Sequence, residues 1–312
     1  MSDIKNGQTM CEYMTDSLFH GMRSILGDKT TDFPRLWHMY KDDKDKEPDK
    51  FSSLYGKGFT LYGLLPSDSE VSREEIYQQT QDREFDLVVS TVHCSAANDN
   101  EKDIVYKKLK YLSEFYPKEK LVFIDTRDSS SNIYNFALDF ATCFKREFVD
   151  WPGASPISFS IPKEKIVKTI PNKSLSFASA IPWHPYRFMN EQDYYNDYQT
   201  SLFGYSCKKG GWDSMRHYEI LANACTPYFT DLNECPKNSL FKFPKELVLE
   251  AMSLKGIDTS INFHNKRFQR GTVDMNVFDI KRYSEINQEL LSYTREHLTT
   301  ESMAKYLLEK VL

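Results

Sequence analysis

Two short apolar runs, "FDLVVSTV" (85–92) and "KLVFIDT" (120–126), flank "KDIVYKKLKYLSEFY" (102–116), whose apolar residues recur at helical steps. Strand, helix and strand at this spacing predict a βαβ unit and therefore a parallel sheet. "ATCFKREF" (141–148) is a further strand or short element. After "DWPGASPISFSIPKEK" (150–165), where Pro152, Gly153, Pro156 and Pro162 cluster, the alternation restarts. Strands read at 174–181, 203–207 and 226–232, with helices over 191–203, 213–224 and 244–253. Pro244 opens the last of these and Gly256 stands just past its end.

The chain's two ends read as helical. "MTDSLFHGMRSILG" puts Met14, Leu18, Met22 and Ile25 on one face with Gly27 as a stop, and Ile286, Leu290, Tyr293, Met303, Leu307 and Val311 fit helical spacing near the end. Ser72 and Glu75 form a capping box, with Val71 and Ile76 as its staple. "MYKDDKDKEPDKF" reads as an exposed charged loop. The expected architecture is α/β: a unit over 1–155 and a second over 156–312, both Rossmann-like and facing across a cleft, with terminal helices.

Composition narrows the class. A net charge of −5 argues against a surface committed throughout to nucleic acid. No apolar run approaches the roughly 20 residues of a membrane span, and the polar N-terminus has no h-region. Cys11, Cys94, Cys143, Cys207, Cys225 and Cys235 form no C-x-x-C pair, which suits reduced thiols, gives no zinc signature and makes the cytoplasm the expected compartment. Neither G-x-G-x-x-G nor a P-loop is present, which speaks against a dinucleotide oxidoreductase or a P-loop enzyme.

The densest chemistry lies in "CKKGGWDSMRHYEILANACTPYF" (207–229). Gly210 and Gly211 let a backbone approach a ligand closely, and the helix start behind them offers N–H groups to an anion. Lys208, Lys209 and Arg216 add positive charge where a diphosphate would sit. Glu219, one turn deeper, is a carboxylate able to accept both hydroxyls of a ribose. Arg216, Glu219 and Asn223 share one stripe, while Met215, Tyr218, Leu221, Ala222 and Cys225 face the sheet. Asp213 is placed to cap the first turn. The same spacing also describes a half-buried helix with an internal Arg216–Glu219 ion pair.

This segment resembles the donor-binding segment of glycosyltransferases of the two-Rossmann GT-B architecture, most closely the exostosin-like and related bacterial and viral groups. Their pattern R-x-x-E-x-L-x-x-G-C-x-P-x-F is met by Arg216, Glu219, Leu221, Cys225, Pro227 and Phe229, with Ala224 in place of the glycine. "TDSLFHGMRSILG" resembles their first-helix pattern, and "CFKREF" and "SPISFSIP" their run into the interdomain joint, although the usual apolar strand before the first helix is weak. The resemblance implies a nucleotide-sugar donor, with Lys208, Lys209 and Arg216 on the diphosphate, Glu219 on the ribose or donor sugar, no metal strictly required and no cofactor. Arg187, in the loop after the first C-terminal strand, is a further candidate phosphate contact.

Sugar transfer passes through an oxocarbenium-like centre and, with inversion, needs a base for the acceptor hydroxyl. Asp16 and His20, four apart on the first helix, are the candidate acid–imidazole pair. His93, Ser95, Asp125 and Asp128, at predicted strand ends, are alternative acceptor contacts. A metal-dependent GT-A reading fits less well: Asp43-Lys44-Asp45 follows no strand, and Asp125 and Asp128 are one residue too far apart for D-x-D. A glycan, glycoconjugate, protein or hydroxylated DNA base is open as acceptor. In the DNA case the nucleotide is flipped into the cleft and Lys41, Lys44, Lys46, Lys50 and Lys57 touch phosphates, although the acidic residues among them suit a solvated loop. The non-enzyme alternative is a two-domain α/β binding or scaffold protein.

Overall fold

The computed structural model describes residues 11–67, 72–92, 99–184, 187–258 and 271–312. Val71, His93 and Ser95 lie outside them. The chain opens with α1 (Tyr13–Leu26), whose first turn is capped by Glu12 through the N–H groups of Met14 and Thr15. Met14, Leu18 and Met22 are buried along one face, as the spacing predicts.

The charged stretch expected as a loop is instead helical: α2 (Lys41–Lys46) and α3 (Pro48–Ser52) are two short helices. Asp42 and Asp43 lie in the first turn of α2 and Lys44 and Lys46 in its last, the order a helix dipole favours, and Pro48 opens α3. A sequence rich in alternating charge has no apolar period to betray so short a helix. Next, α4 (Arg73–Gln81) has Ser72 at its N-cap, without the side-chain bond of a capping box.

The predicted βαβ unit is present. β1 (Val88–Thr91), α5 (Asp99–Ser113) and β2 (Leu121–Asp125) are followed by β3 (Thr142–Lys145) and β4 (Ala154–Pro156). These strands form a parallel sheet in the order β1-β2-β3-β4, with Ile124 paired to Phe144 and Asp125 to Lys145. Every residue of β2 is buried, as befits a central strand covered on both faces. The Pro-rich stretch read as a joint supplies the edge strand β4, where Pro156, lacking an N–H, is tolerated at the strand's end.

A second parallel sheet, β5-β6-β7, contains β5 (Leu175–Phe177), then α6 (Glu191–Gln199), β6 (Ser201–Ser206), α7 (Met215–Ala222) and β7 (Thr226–Phe229). α8 (Lys245–Met252) and α9 (Ile280–His297) cover it, and α10 (Thr300–Val311) crosses back to pack along α1. The return is fixed by backbone bonds from Ile161 N–H to the Leu298 carbonyl and from Thr300 N–H to the Ile161 carbonyl, each 3.0 Å.

One buried apolar cluster runs through both sheets, joining Val122, Ile124 and Phe144 to Phe177, Phe203 and Tyr205, with α1 and α10 contributing Met14, Leu18, Met303 and Leu307. A separate cluster around Leu109, Phe123 and Tyr134 fills the other face of the first sheet. Ala224 has a φ of 49°, the left-handed region that glycine enters without strain, at the position where the resembling pattern has glycine. Among the described residues no helix is long and apolar enough to cross a membrane.

Candidate functional site

Parallel sheets gather loops at the carboxyl ends of their strands, and it is there that open α/β sheets take ligands. The loop leaving β5 carries Trp183 and the exposed Arg187, the loop leaving β6 carries Lys208 to Gly211, and the loop leaving β7 carries Asp231. Asp231 accepts the Lys208 N–H on both oxygens at 3.1 Å, tying two of these loops together. The two lysines diverge: the Lys208 ammonium lies 5.0 Å from the Trp212 ring centre, and the Lys209 ammonium 5.4 Å from that of Trp183. Lys209 is half-buried, and burial and then the neighbouring Arg216 charge lower its proton affinity.

The charge of Arg216, half-buried on α7, acts on both Lys209 and Glu219. His217, between them in sequence, reports the same positive field. Burial pushes its pKa down to about 3, and the charges of Arg216 and Lys209 act in the same direction against the Trp212 carbonyl. Its ring contacts Ser206 Oγ at 2.6 Å and the Trp212 carbonyl at 2.9 Å and stacks on Phe229 at 4.6 Å.

The depressed value has a consequence for stability. The native state excludes a proton that the unfolded chain takes up below about pH 6.5, so stability from this group is complete above that pH and is lost on acidification towards about 3. A His217→Gln variant is destabilised at pH 7, and its deficit relative to wild type is expected to shrink by about 2 kcal/mol between pH 7 and pH 5. Urea denaturation at the two pH values measures this, and an unchanged deficit would mean that the imidazole titrates alike in both states.

The loop ahead of α7 is held by acidic side chains from the first sheet. Glu147, following β3, accepts the N–H groups of Trp212 at 2.9 Å and Asp213 at 3.0 Å. A Cβ on Gly211 would collide with that carboxylate and one on Gly210 with Asp128, so the glycines serve close approach to two acidic side chains. Arg146 completes the joint, donating to Glu147 at 2.9 Å, to the carbonyls of Asp213 at 2.9 Å and Thr126 at 3.0 Å, and to Asp128. Asp213 does not cap the helix. Ser214 holds the N-cap, and Asp213 accepts Phe159 N–H at 2.7 Å and Tyr218 Oη–H at 2.9 Å.

Glu219 is buried, and its two oxygens accept two hydroxyls: Thr60 Oγ1 at 2.5 Å and Tyr194 Oη at 2.7 Å. Burial raises its pKa against these two bonds and the Arg216 charge. Thr60 reaches in from a left-handed backbone with a φ of 71°; its hydroxyl also meets Tyr195 Oη at 2.8 Å and its N–H donates to Glu191 at 2.6 Å. Lys165 closes the other Glu191 oxygen at 2.7 Å.

Asp16 and His20 are partnered apart. Asp16, only 1% exposed, is bonded to His38 Nε2 at 2.9 Å and to its own helix cap, Glu12 N–H, at 3.1 Å. Burial works to lower the His38 pKa, but the Asp16 charge and hydrogen bond raise it to about 10. His20 meets Thr300 Oγ1 at 2.9 Å and the half-exposed Glu164 at 3.3 Å. Burial would raise the Glu164 pKa, yet the His20 hydrogen bond and the Lys165 charge hold it low. His20 thus stands beside Glu164–Lys165, and Lys165 leads through Glu191 and Thr60 to Glu219, whereas Asp16 belongs to a different pair. Asp125 is fully buried between Arg127 at 2.7 Å and Lys145 at 2.6 Å, and Asp43 pairs with Arg35 at 2.7 Å.

Trp183, Thr60, Tyr194, Arg146, Glu147 and Glu164 carry no pattern of their own in the sequence. Only the carboxyl-edge rule, applied to the residues after 125, 145 and 177, would have drawn attention to some of them. Among the described residues no three His, Cys, Asp or Glu side chains are grouped to hold a metal ion. No protein-family model, curated protein or solved structure matches the chain.

Proposed function

We propose that this protein is a glycosyltransferase that moves a sugar from a nucleotide-diphosphate sugar to an acceptor hydroxyl, with the donor at the carboxyl edge of the second sheet. In this reading the two sheets are the cores of two Rossmann-like units of GT-B type. The observation that supports it is the gathering of Trp183, Arg187 and Lys208 to Gly211 on the loops at that edge, where the charge of Arg216 acts on both Lys209 and Glu219. Two half-buried cations that raise each other's energy are stabilised by a bound anion, and a leaving diphosphate gains charge in the transition state just where they stand.

The backbone N–H groups ahead of α7 already serve Glu147, so in this reading the side chains of Lys209 and Arg216 carry the diphosphate. Glu219 takes the ribose diol by exchanging the Thr60 and Tyr194 hydroxyls for those of the donor. The exchange moves the Thr60 segment and leaves the buried Tyr194 hydroxyl to find another acceptor, a cost the donor's own contacts must exceed. The acceptor's proton passes to the His20–Glu164 pair, Glu164 taking the part assigned to Asp16 from the sequence.

Calorimetric titration with UDP, GDP, ADP and their sugars tests the reading. Lys209→Gln and Arg216→Gln are each expected to weaken donor binding about tenfold or more, the worth of one charge-assisted contact. The competing reading, a non-catalytic α/β binding or scaffold protein, draws on the Thr60 and Tyr194 hydroxyls already occupying both oxygens of Glu219. It requires that wild type bind none of these nucleotides, or bind one without turnover.

A further inference from the structure

We propose that Trp183 is the stacking platform for the nucleobase of a nucleoside diphosphate, an inference that rests on the donor reading above. Trp183 follows β5 at the same carboxyl edge and is 55% exposed, a large apolar surface left to water beside the Lys209 ammonium. Its backbone has a φ of 66°, a conformation a bulky residue rarely adopts and one that recurs where function holds a side chain in place. The indole also has a charged neighbour: the Lys209 ammonium sits 5.4 Å from its ring centre.

These features select a ligand by chemistry. Lys209 lies against the exposed ring, so the edge offers an aromatic face with a positive charge beside it. A simple anion would use the lysine and leave the ring wet, while an uncharged aromatic would stack without meeting the Lys209 charge. A planar base joined to phosphates satisfies both at once. Lys208 is excluded from this set because its ammonium is turned onto Trp212 and its N–H is held by Asp231. Stacking tolerates any base, so Trp183 supplies affinity for nucleotides as a class.

The test is calorimetry on the full chain with UDP, GDP, ADP and inorganic pyrophosphate, for wild type, Trp183→Ala and Trp183→Phe, with circular dichroism to confirm folding. Trp183→Ala is expected to weaken the nucleoside diphosphates about 10- to 100-fold, leave pyrophosphate within about twofold, and be largely rescued by Trp183→Phe. Equal nucleotide affinity in wild type and Trp183→Ala would overturn the platform while leaving the donor reading intact. Parallel loss of nucleotide and pyrophosphate would make Trp183 a mere support for Lys209. A wild-type protein that binds none of the four would remove both the platform and the donor reading.

Discussion

An Arg146→Met protein is expected to be about 3–5 kcal/mol less stable than wild type in urea denaturation at pH 7. Arg146 is 1% exposed, and its guanidinium faces Glu147, Asp128 and the carbonyls of Asp213 and Thr126. Methionine keeps much of the volume and the contact with Phe159, whose ring centre lies 4.7 Å from the guanidinium, but removes every donor. The buried carboxylates of Glu147 and Asp213 then lose their counter-charge, which costs more than the pair itself contributes. Burial already pushes the Asp213 pKa up to about 7 against the pull of Arg146. Without that pull its folded pKa rises further above the unfolded value, so the neutral form is favoured and the mutant's deficit should narrow as the pH is lowered towards 5. A loss below about 1 kcal/mol would mean that water, and not Arg146, satisfies these acids.

The position of this network explains how the second sheet's ligand edge is held. Glu147 and Asp128 come from the carboxyl ends of the first sheet; Glu147 holds the N–H groups of Trp212 and Asp213, and Asp128 lies against Gly210, all on the loop that carries Lys209. The orientation of Lys209 and Arg216 therefore depends on a joint between the two sheets. A substitution there would change ligand affinity without touching ligand, which separates the joint from Trp183 in any mutant series.

Much of this fold was legible because parallel strands are written as uninterrupted apolar runs and their crossovers as helical periods. The strands at 121–125 and 226–229 and the helices at 13–26 and 215–222 come from such signals. The return of α10 onto α1 was not legible, since periodicity names a buried face without naming what covers it. The site was readable only as a set of residue types. The charge of Arg216 acts on both Lys209 and Glu219, while the N–H groups of the loop ahead of α7 went to Glu147, a residue 65 positions from Trp212 that no local pattern links to it. Asp16 and His20 illustrate the same limit. Spacing of four permits a shared face, yet Asp16 found its imidazole at His38 and His20 its carboxylate at Glu164.

Gly21→Ala provides a sharp test of that unforeseen closure, because two ordinary effects oppose each other in sign. In an isolated helix alanine is better than glycine by about 1 kcal/mol, so propensity alone predicts that α1 gains stability. In the folded chain a Cβ at position 21 would collide with the backbone carbonyl of Thr300 and crowd the Ala304 side chain. A backbone obstacle cannot rotate away, so α1 and α10 must separate, straining the His20–Thr300 bond and the Ile161 bonds that bring α10 home. Overpacking of this kind costs about 1–3 kcal/mol and occasionally more, and a collision with main chain belongs at the upper end. The expected net loss is about 2–3 kcal/mol, read as a Tm lower by about 3–5 °C for a chain of this size. A higher Tm would show that propensity governs the position and that α10 does not close upon α1 in solution.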